Sequence, residues 1–284
     1  MITVKAYAKI NLALNVFDKR NDGYHDVDMV MLPLELHAII EIDTLPNGYE
    51  SYITCDDTSL PTNESNLSYR AFLKLREKFN IDKNFMIHVY KRIPISAGLG
   101  GGSADAAAVF NAITKKLKIK LDYPEIIAIT KTIGGDVPFC MYNRPARCKG
   151  IGEELEFFTL KRRYYVLLIK PEEGVTTAQA YNDFDKLTVK PELSNIDELI
   201  KALENDDDAV IAREMKNGLQ ECAINLVPEI KNIIDTLKND GFDMVLMSGS
   251  GSTVFAMSKS KCAIEKEAKK FDKKKYKVVI THTL

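Results

Sequence analysis

Pro94-Ile95-Ser96-Ala97-Gly98-Leu99-Gly100-Gly101-Gly102-Ser103-Ala104-Asp105-Ala106-Ala107-Ala108 is the stretch on which the reading of this chain turns. Before it, Phe85, Ile87 and Val89 alternate with Met86, His88 and Tyr90, the period of a half-buried strand. Pro94 ends ladder pairing because it has no N–H to give. After it, Ala104 to Leu117 is rich in helix formers, with Ser103 or Ala104 near the start. Four glycines in the five positions 98–102 remove Cβ atoms that would keep an anion away, and permit φ > 0 so that successive N–H groups converge. The helix N-terminus adds partial positive charge there. The stretch thus reads as a phosphate seat, the alternative being a flexible turn or a close helix–strand contact. A Walker A loop is excluded because Ser103 follows Gly102 with no lysine, and a dinucleotide fingerprint because its last glycine position, counted from Gly98, is Ser103.

The rest of the composition is that of an ordinary globular protein. The 284 residues suggest about two domains, and a 45% hydrophobic content is ample for a core. Five cysteines without C-x-x-C spacing argue against a disulfide framework or zinc site and fit a reducing cytoplasm. A net charge of −1 gives no global field for nucleic acid, and no 18-residue apolar run offers a membrane span. The lysines between Lys259 and Lys277 are interrupted by Glu265, Glu267 and Asp272 and read as a solvated helix face.

Periodicity predicts strands over 2–17, 34–43 and 49–55, a helix over 67–78, the glycine loop with its helix, and a helix over 123–133 that stops at Gly134-Gly135. Residues 147–158 read as a strand pair or a loop, and composition shifts near 159–163. Beyond it come a strand over 164–170 and helices near 176–185, 195–204, 208–222 and 228–240. The chain closes with paired strands about Ser248–Ser252, a lysine-rich helix and a strand over 277–281. Two α+β layers meeting at a cleft are expected, with domains at 1–158 and 159–284.

Four further segments hold residues suited to chemistry. On the first strand, Val4, Ala6, Ala8, Ile10, Leu12, Leu14 and Val16 share one face, leaving Lys5, Tyr7, Lys9 and Asn11 on another that the pattern alone assigns to solvent. Asn21-Asp22-Gly23 puts a turn before Tyr24, suited to stacking on a base, and His25, suited to bonding its edge; a bare hairpin tip is the plainer reading. Asp136, between a glycine pair and Val137-Pro138, could cap a helix or accept a proton from an alcohol. Ser248-Gly249-Ser250-Gly251-Ser252-Thr253 is either a hairpin loop or a second turn near phosphates.

With these segments the chain resembles, along its whole length, the galactokinase, homoserine kinase, mevalonate kinase and phosphomevalonate kinase (GHMP) superfamily. Ala8-Lys9-Ile10-Asn11-Leu12, followed by Arg20 and Asp22-Gly23-Tyr24-His25, is similar to the branch that phosphorylates the 2-hydroxyl of a CDP-linked methylerythritol in the non-mevalonate route to isoprenoid precursors. The resemblance implies an α+β, two-domain GHMP-kinase fold, S5 domain 2-like in its N-terminal half and ferredoxin-like in its C-terminal half, with the active site in the interdomain cleft. It implies ATP on Pro94, Ala97, Gly98, Leu99, Gly100, Gly101, Gly102 and Ser103, adenine near Asn63, Asn66 and Leu67, and Mg²⁺ carried by the nucleotide with no metal held by protein ligands. Asn11, Tyr24, His25, Thr176, Thr177 and Tyr181 would meet the acceptor. Lys9 would offset charge on the transferred phosphoryl, and Asp136 would take the acceptor's proton or orient Lys9. A cytoplasmic monomer or homodimer, without nucleic-acid or membrane partners, is expected. The rivals are a kinase for a smaller alcohol such as homoserine or mevalonate, a non-catalytic metabolite sensor on the same fold, and an oxidoreductase.

Overall fold

The computed structural model describes residues 1–284. Two compact units share the chain, one built from 1–8, 36–93 and 100–143, the other from 9–35, 94–99 and 144–284. They do not follow a single cut, so they differ from the expected domains at 1–158 and 159–284. The strands β1 (Ile2–Lys19) and β2 (His25–Thr44) contribute residues to both. Both run beyond their expected ends, forming the long arms of a hairpin closed by a turn in which Arg20 N donates to Tyr24 O at 2.7 Å.

In the first unit, the end of β2 runs antiparallel to β4 (Phe85–Tyr90), with Ile40 opposite Val89 and Ile42 opposite Ile87, while β3 (Tyr52–Cys55) adds to β4 in parallel. All four of those facing side chains are buried. Helix α1 (Leu67–Phe79) is started by Asn66, whose side chain accepts from Ser68 N at 2.9 Å. Helix α2 (Gly101–Leu117) packs on α1 and α4 (Val137–Tyr142) and is buried along most of its length. The expected helix after Asp122 is shorter, α3 (Tyr123–Thr130), and α4 was not anticipated because it begins at the Gly-Gly-Asp stop.

The second unit holds β5 (Ala146–Lys149) and β6 (Glu154–Phe157), which extend β2 at Met29–Met31, and an antiparallel sheet of order β10-β7-β9-β8. Its members are β7 (Tyr165–Pro171), β8 (Val245–Met247), β9 (Val254–Ser258) and β10 (Tyr276–His282). Against it packs α9 (Glu229–Asn239), which buries Ile230, Ile233, Ile234 and Leu237 at the i, i+3, i+4, i+7 spacing of an amphipathic helix. Also here are α5 (Thr177–Asp185), α6 (Ile196–Asn205) and α10 (Lys261–Ala268). The single helix expected over 208–222 is two, α7 (Asp208–Glu214) and α8 (Gln220–Leu226). They are parted because Leu14 N donates to Lys216 O and Gly218 N to Leu14 O, both at 2.9 Å, so β1 takes the backbone groups a continuous helix would need. All five cysteines are free, and no helix is long and apolar enough to cross a membrane.

Candidate active site

The glycine loop belongs to both units, 94–99 to the second and 100–103 to the first. Buried Pro94, Ala97 and Leu99 fix it to the core. Ser96, Gly98 and Gly100 all take positive φ, at 50°, 70° and 67°. For Gly98 this is obligatory on a second count, since a Cβ there would lie 1.9 Å from Ser248 O. Gly100 caps α2 with no side chain, and the helix starts at Gly101 rather than at Ser103 or Ala104. The first helical bond runs from Ala104 N to Gly100 O at 2.8 Å. The amides of Gly101, Gly102 and Ser103 therefore precede any carbonyl partner within the helix, which is the arrangement that receives an anion.

Lys9 and Asn11 are not on a solvent face: they are 3% and 1% exposed. Strand β1 is buried on both sides here, a situation that alternation alone does not reveal. Lys9 Nζ donates to Asn11 Oδ1 at 2.6 Å and lies 3.3 Å from where a Gly249 Cβ would be, while Lys9 N donates to Leu99 O. The second glycine turn is thus placed on the first. Ser248 Oγ donates to Gly98 O at 2.9 Å, and the unanticipated Asn217, buried, donates to both Met247 O and Gly249 O at 2.8 Å. Ser252 Oγ donates to Glu173 O at 2.6 Å, and a Cβ on Gly174 would lie 3.0 Å from Ser96 Cβ. Lys170 Nζ holds the start of this segment by donating to Pro171 O and Glu172 O.

From there α5 leads away along one face. Thr176 caps it in a capping box with Gln179. Thr177, Tyr181 and Asp185 follow at four-residue spacing, so they line one side over about 12 Å of helix. Thr177 Oγ1 is 3.2 Å from Ser250 Oγ at one end. At the other, the buried His25 ring lies 4.9 Å from the Tyr181 ring and its Nε2 is 2.6 Å from Asp185 Oδ1. Tyr24, beside it, is exposed. The Asp185 carboxyl is held below the usual carboxylate range by its bonds with His25 and then Lys19.

In the first unit, Asp136 stands at the N-cap position of α4 but its side chain makes no capping bond. A Cβ on Gly134, two residues earlier, would lie 3.8 Å from Ser103 Oγ and 3.9 Å from Leu67 Cδ1, so the Asp136 segment borders the N-terminus of α2. Leu67 also borders Gly102 at 3.4 Å. Asn63 and Asn66 are used locally: Asn63 Oδ1 accepts from Ser65, and the Asn66 amide spans Ser68 N and Pro61 O. Sequence reasoning missed the Lys91–Asp105 pair, 2.5 Å apart with side chains 4% and 5% exposed, which ties the segment after β4 to the second turn of α2. Lys91 Nζ is 3.0 Å from where a Gly101 Cβ would be. Burial pushes the Asp105 carboxyl upward against the pull of Lys91.

The second unit holds a buried lysine beside a second glycine turn and the first a glycine-capped helix, and the family models give the class: an ATP-dependent small-molecule kinase of the GHMP kind. The GHMP kinases N terminal domain matches residues 66–144 and the GHMP kinases C terminal domain residues 183–278. A 4-diphosphocytidyl-2-C-methyl-D-erythritol kinase of Clostridium beijerinckii is 38% identical over 288 residues, covering 99% of either chain. That of Clostridium acetobutylicum is 37% identical over 284 residues and covers 100% of both. The chain belongs to the 4-diphosphocytidyl-2-C-methyl-D-erythritol kinase family. A crystal structure of 4-(cytidine 5'-diphospho)-2C-methyl-D-erythritol kinase superposes with a TM-score of 0.81 at 28% identity over 99% of each chain. Homoserine kinase from Cytophaga hutchinsonii shares the fold, with a TM-score of 0.75 at 18% identity over 99% of this chain and 94% of its own.

Proposed function

We propose that the chain transfers the γ-phosphoryl group of ATP to the 2-hydroxyl of 4-diphosphocytidyl-2-C-methyl-D-erythritol, in the cytoplasm, on the way to isoprenoid precursors. The observation that carries this reading is Lys9, an ammonium group buried beside Asn11 where the two glycine turns meet. Buried positive charge is costly in an apolar setting and useful where anionic oxygens arrive.

The phosphates would lie on the amides of Gly101, Gly102 and Ser103, with adenine toward Leu67. Lys9 would stabilise charge on the phosphoryl group in flight, and Asp136 would accept the proton of the acceptor hydroxyl or orient Lys9. No group of three or more His, Cys, Asp or Glu side chains lies together to hold a metal. Mg²⁺ would come with the nucleotide, as the resemblance implies, and would neutralise phosphate charge. Asn11, Tyr24, His25, Thr176, Thr177 and Tyr181 would receive the acceptor, its diphosphate end toward Ser250 and its base toward His25. The functional division would fall at 158/159, between the two matched family models.

A coupled ATPase assay offering the cytidine compound, homoserine and mevalonate tests this. Turnover with the cytidine compound alone is expected. Turnover with either simple alcohol at comparable kcat/KM would replace this reading with the smaller-alcohol one, and tight binding without transfer would favour a sensor.

A further inference from the structure

His25 has two ring nitrogens, and the fold has already used one. Nε2 lies 2.6 Å from Asp185 Oδ1, while Lys19 Nζ reaches the other oxygen at 3.3 Å. An ionised carboxylate only accepts, so the nitrogen facing it must carry the hydrogen. In the neutral ring this leaves Nδ1 with a lone pair. The ring cannot easily turn to exchange its nitrogens, because Tyr181 packs at 4.9 Å and Phe184 stands edge-on at 6.1 Å, and His25 is 7% exposed.

We propose that Asp185 is a positioning residue for base selection: by holding the proton on His25 Nε2 it makes Nδ1 an acceptor, which favours a base presenting an amino group over one presenting a carbonyl. The inference rests on the acceptor reading given above. Cytosine carries an exocyclic amino donor where uracil carries an oxygen. Facing Nδ1, uracil would set one lone pair against another, and an acceptor left unpaired on a buried ring is a ground for rejection. Asp185 completes the α5 face begun by Thr177 and Tyr181, so one helix would address the acceptor from its phosphate end to its base.

The test uses the full chain with ATP and with CDP-linked and UDP-linked methylerythritol. Asp185→Asn is expected to lower kcat/KM for the CDP-linked acceptor roughly 10- to 100-fold, to leave the KM for ATP unchanged, and to shrink the preference over the UDP-linked acceptor. Asp185→Glu should recover part of that preference. An Asp185→Asn enzyme with the wild-type CDP/UDP ratio would overturn the proposal. Nitrogen NMR of His25 in the unaltered protein adds a readout that no variant's folding can disturb: a neutral ring protonated at Nε2 is expected, and a ring protonated at Nδ1, alone or with Nε2, would overturn the proposal. Should the unaltered chain ignore the CDP-linked acceptor while the ring is protonated at Nε2, the acceptor reading fails and base selection fails with it, though the Asp185–His25 pairing stands.

Discussion

Lys9 shows how much a single residue can depend on its surroundings. On an exposed strand it would be an ordinary solubilising charge, but at 3% exposure its ammonium needs partners, and Asn11 with the facing glycine turn supplies a polar setting. If its charge acts in the transition state, Lys9→Ala should lower kcat far more than it raises the KM for ATP, and steady-state kinetics will separate the two. Asp136→Asn should lower turnover by roughly 10²–10⁴ if the carboxylate is the base, and near-normal turnover would remove it from that role. The double variant should lose much less than the product of the single losses, since groups serving one step are non-additive. Gly98 makes a stricter demand. At φ +70° a side chain costs about 1–2 kcal/mol, and its Cβ would in addition meet Ser248 O, so Gly98→Ala should lower the denaturation midpoint and weaken ATP binding together.

At the scale of elements, α2 is held by more than its caps. Lys91 and Asp105 form a buried pair at its second turn. Removing one partner strands the other charge, so Asp105→Ala should destabilise the fold by about 3–5 kcal/mol in chemical denaturation, with Asp105→Asn milder. Much of this element's reading was open in the sequence: the glycine density, Pro94 and the alanine run gave strand, turn and helix in the right order. The pair was not, because Lys91 and Asp105 are far apart in spacing terms and each looks like a surface charge by type. The burial of Asn11 and Lys9 escaped for a related reason, since alternation assumes that one strand face is wet and β1 is covered on both. The break between α7 and α8 was invisible because Gly218, a weak helix residue at most, yields to β1 only through a contact with Leu14 some two hundred positions earlier. Asp185 carried no motif; its four-residue spacing from Tyr181 was the signal that could have found it.

Across the whole molecule, stability should respond to acid through groups remote from the site. Glu229, bonded to Lys275 at 2.7 Å and to Tyr276, has its carboxyl pulled down to about 2 by those two hydrogen bonds, Lys275 first. A carboxylate depressed in the fold stabilises it above the ordinary value of 4.5, and that contribution is lost as pH falls through 4.5 toward about 2. Melting temperatures of the unaltered chain and Glu229→Gln should therefore differ at neutral pH and converge in acid. The assembly of the second compact unit from separate stretches of chain has a different consequence. Ser194 bonds Asn15 through both its N and its O, Leu284 N bonds Pro33 O, and Lys216 and Gly218 bond Leu14, so residues 9–35 are woven into the later half. A fragment of 159–284 made alone should not fold cooperatively, whereas supplying 1–158 as a separate peptide should restore it. For the same reason, a gene chimera joining this chain to a distant relative by one crossover near 158 inherits mismatched partners inside a single core, and exchange of halves as cassettes is closed to this lineage unless the hairpin travels with the tail it supports.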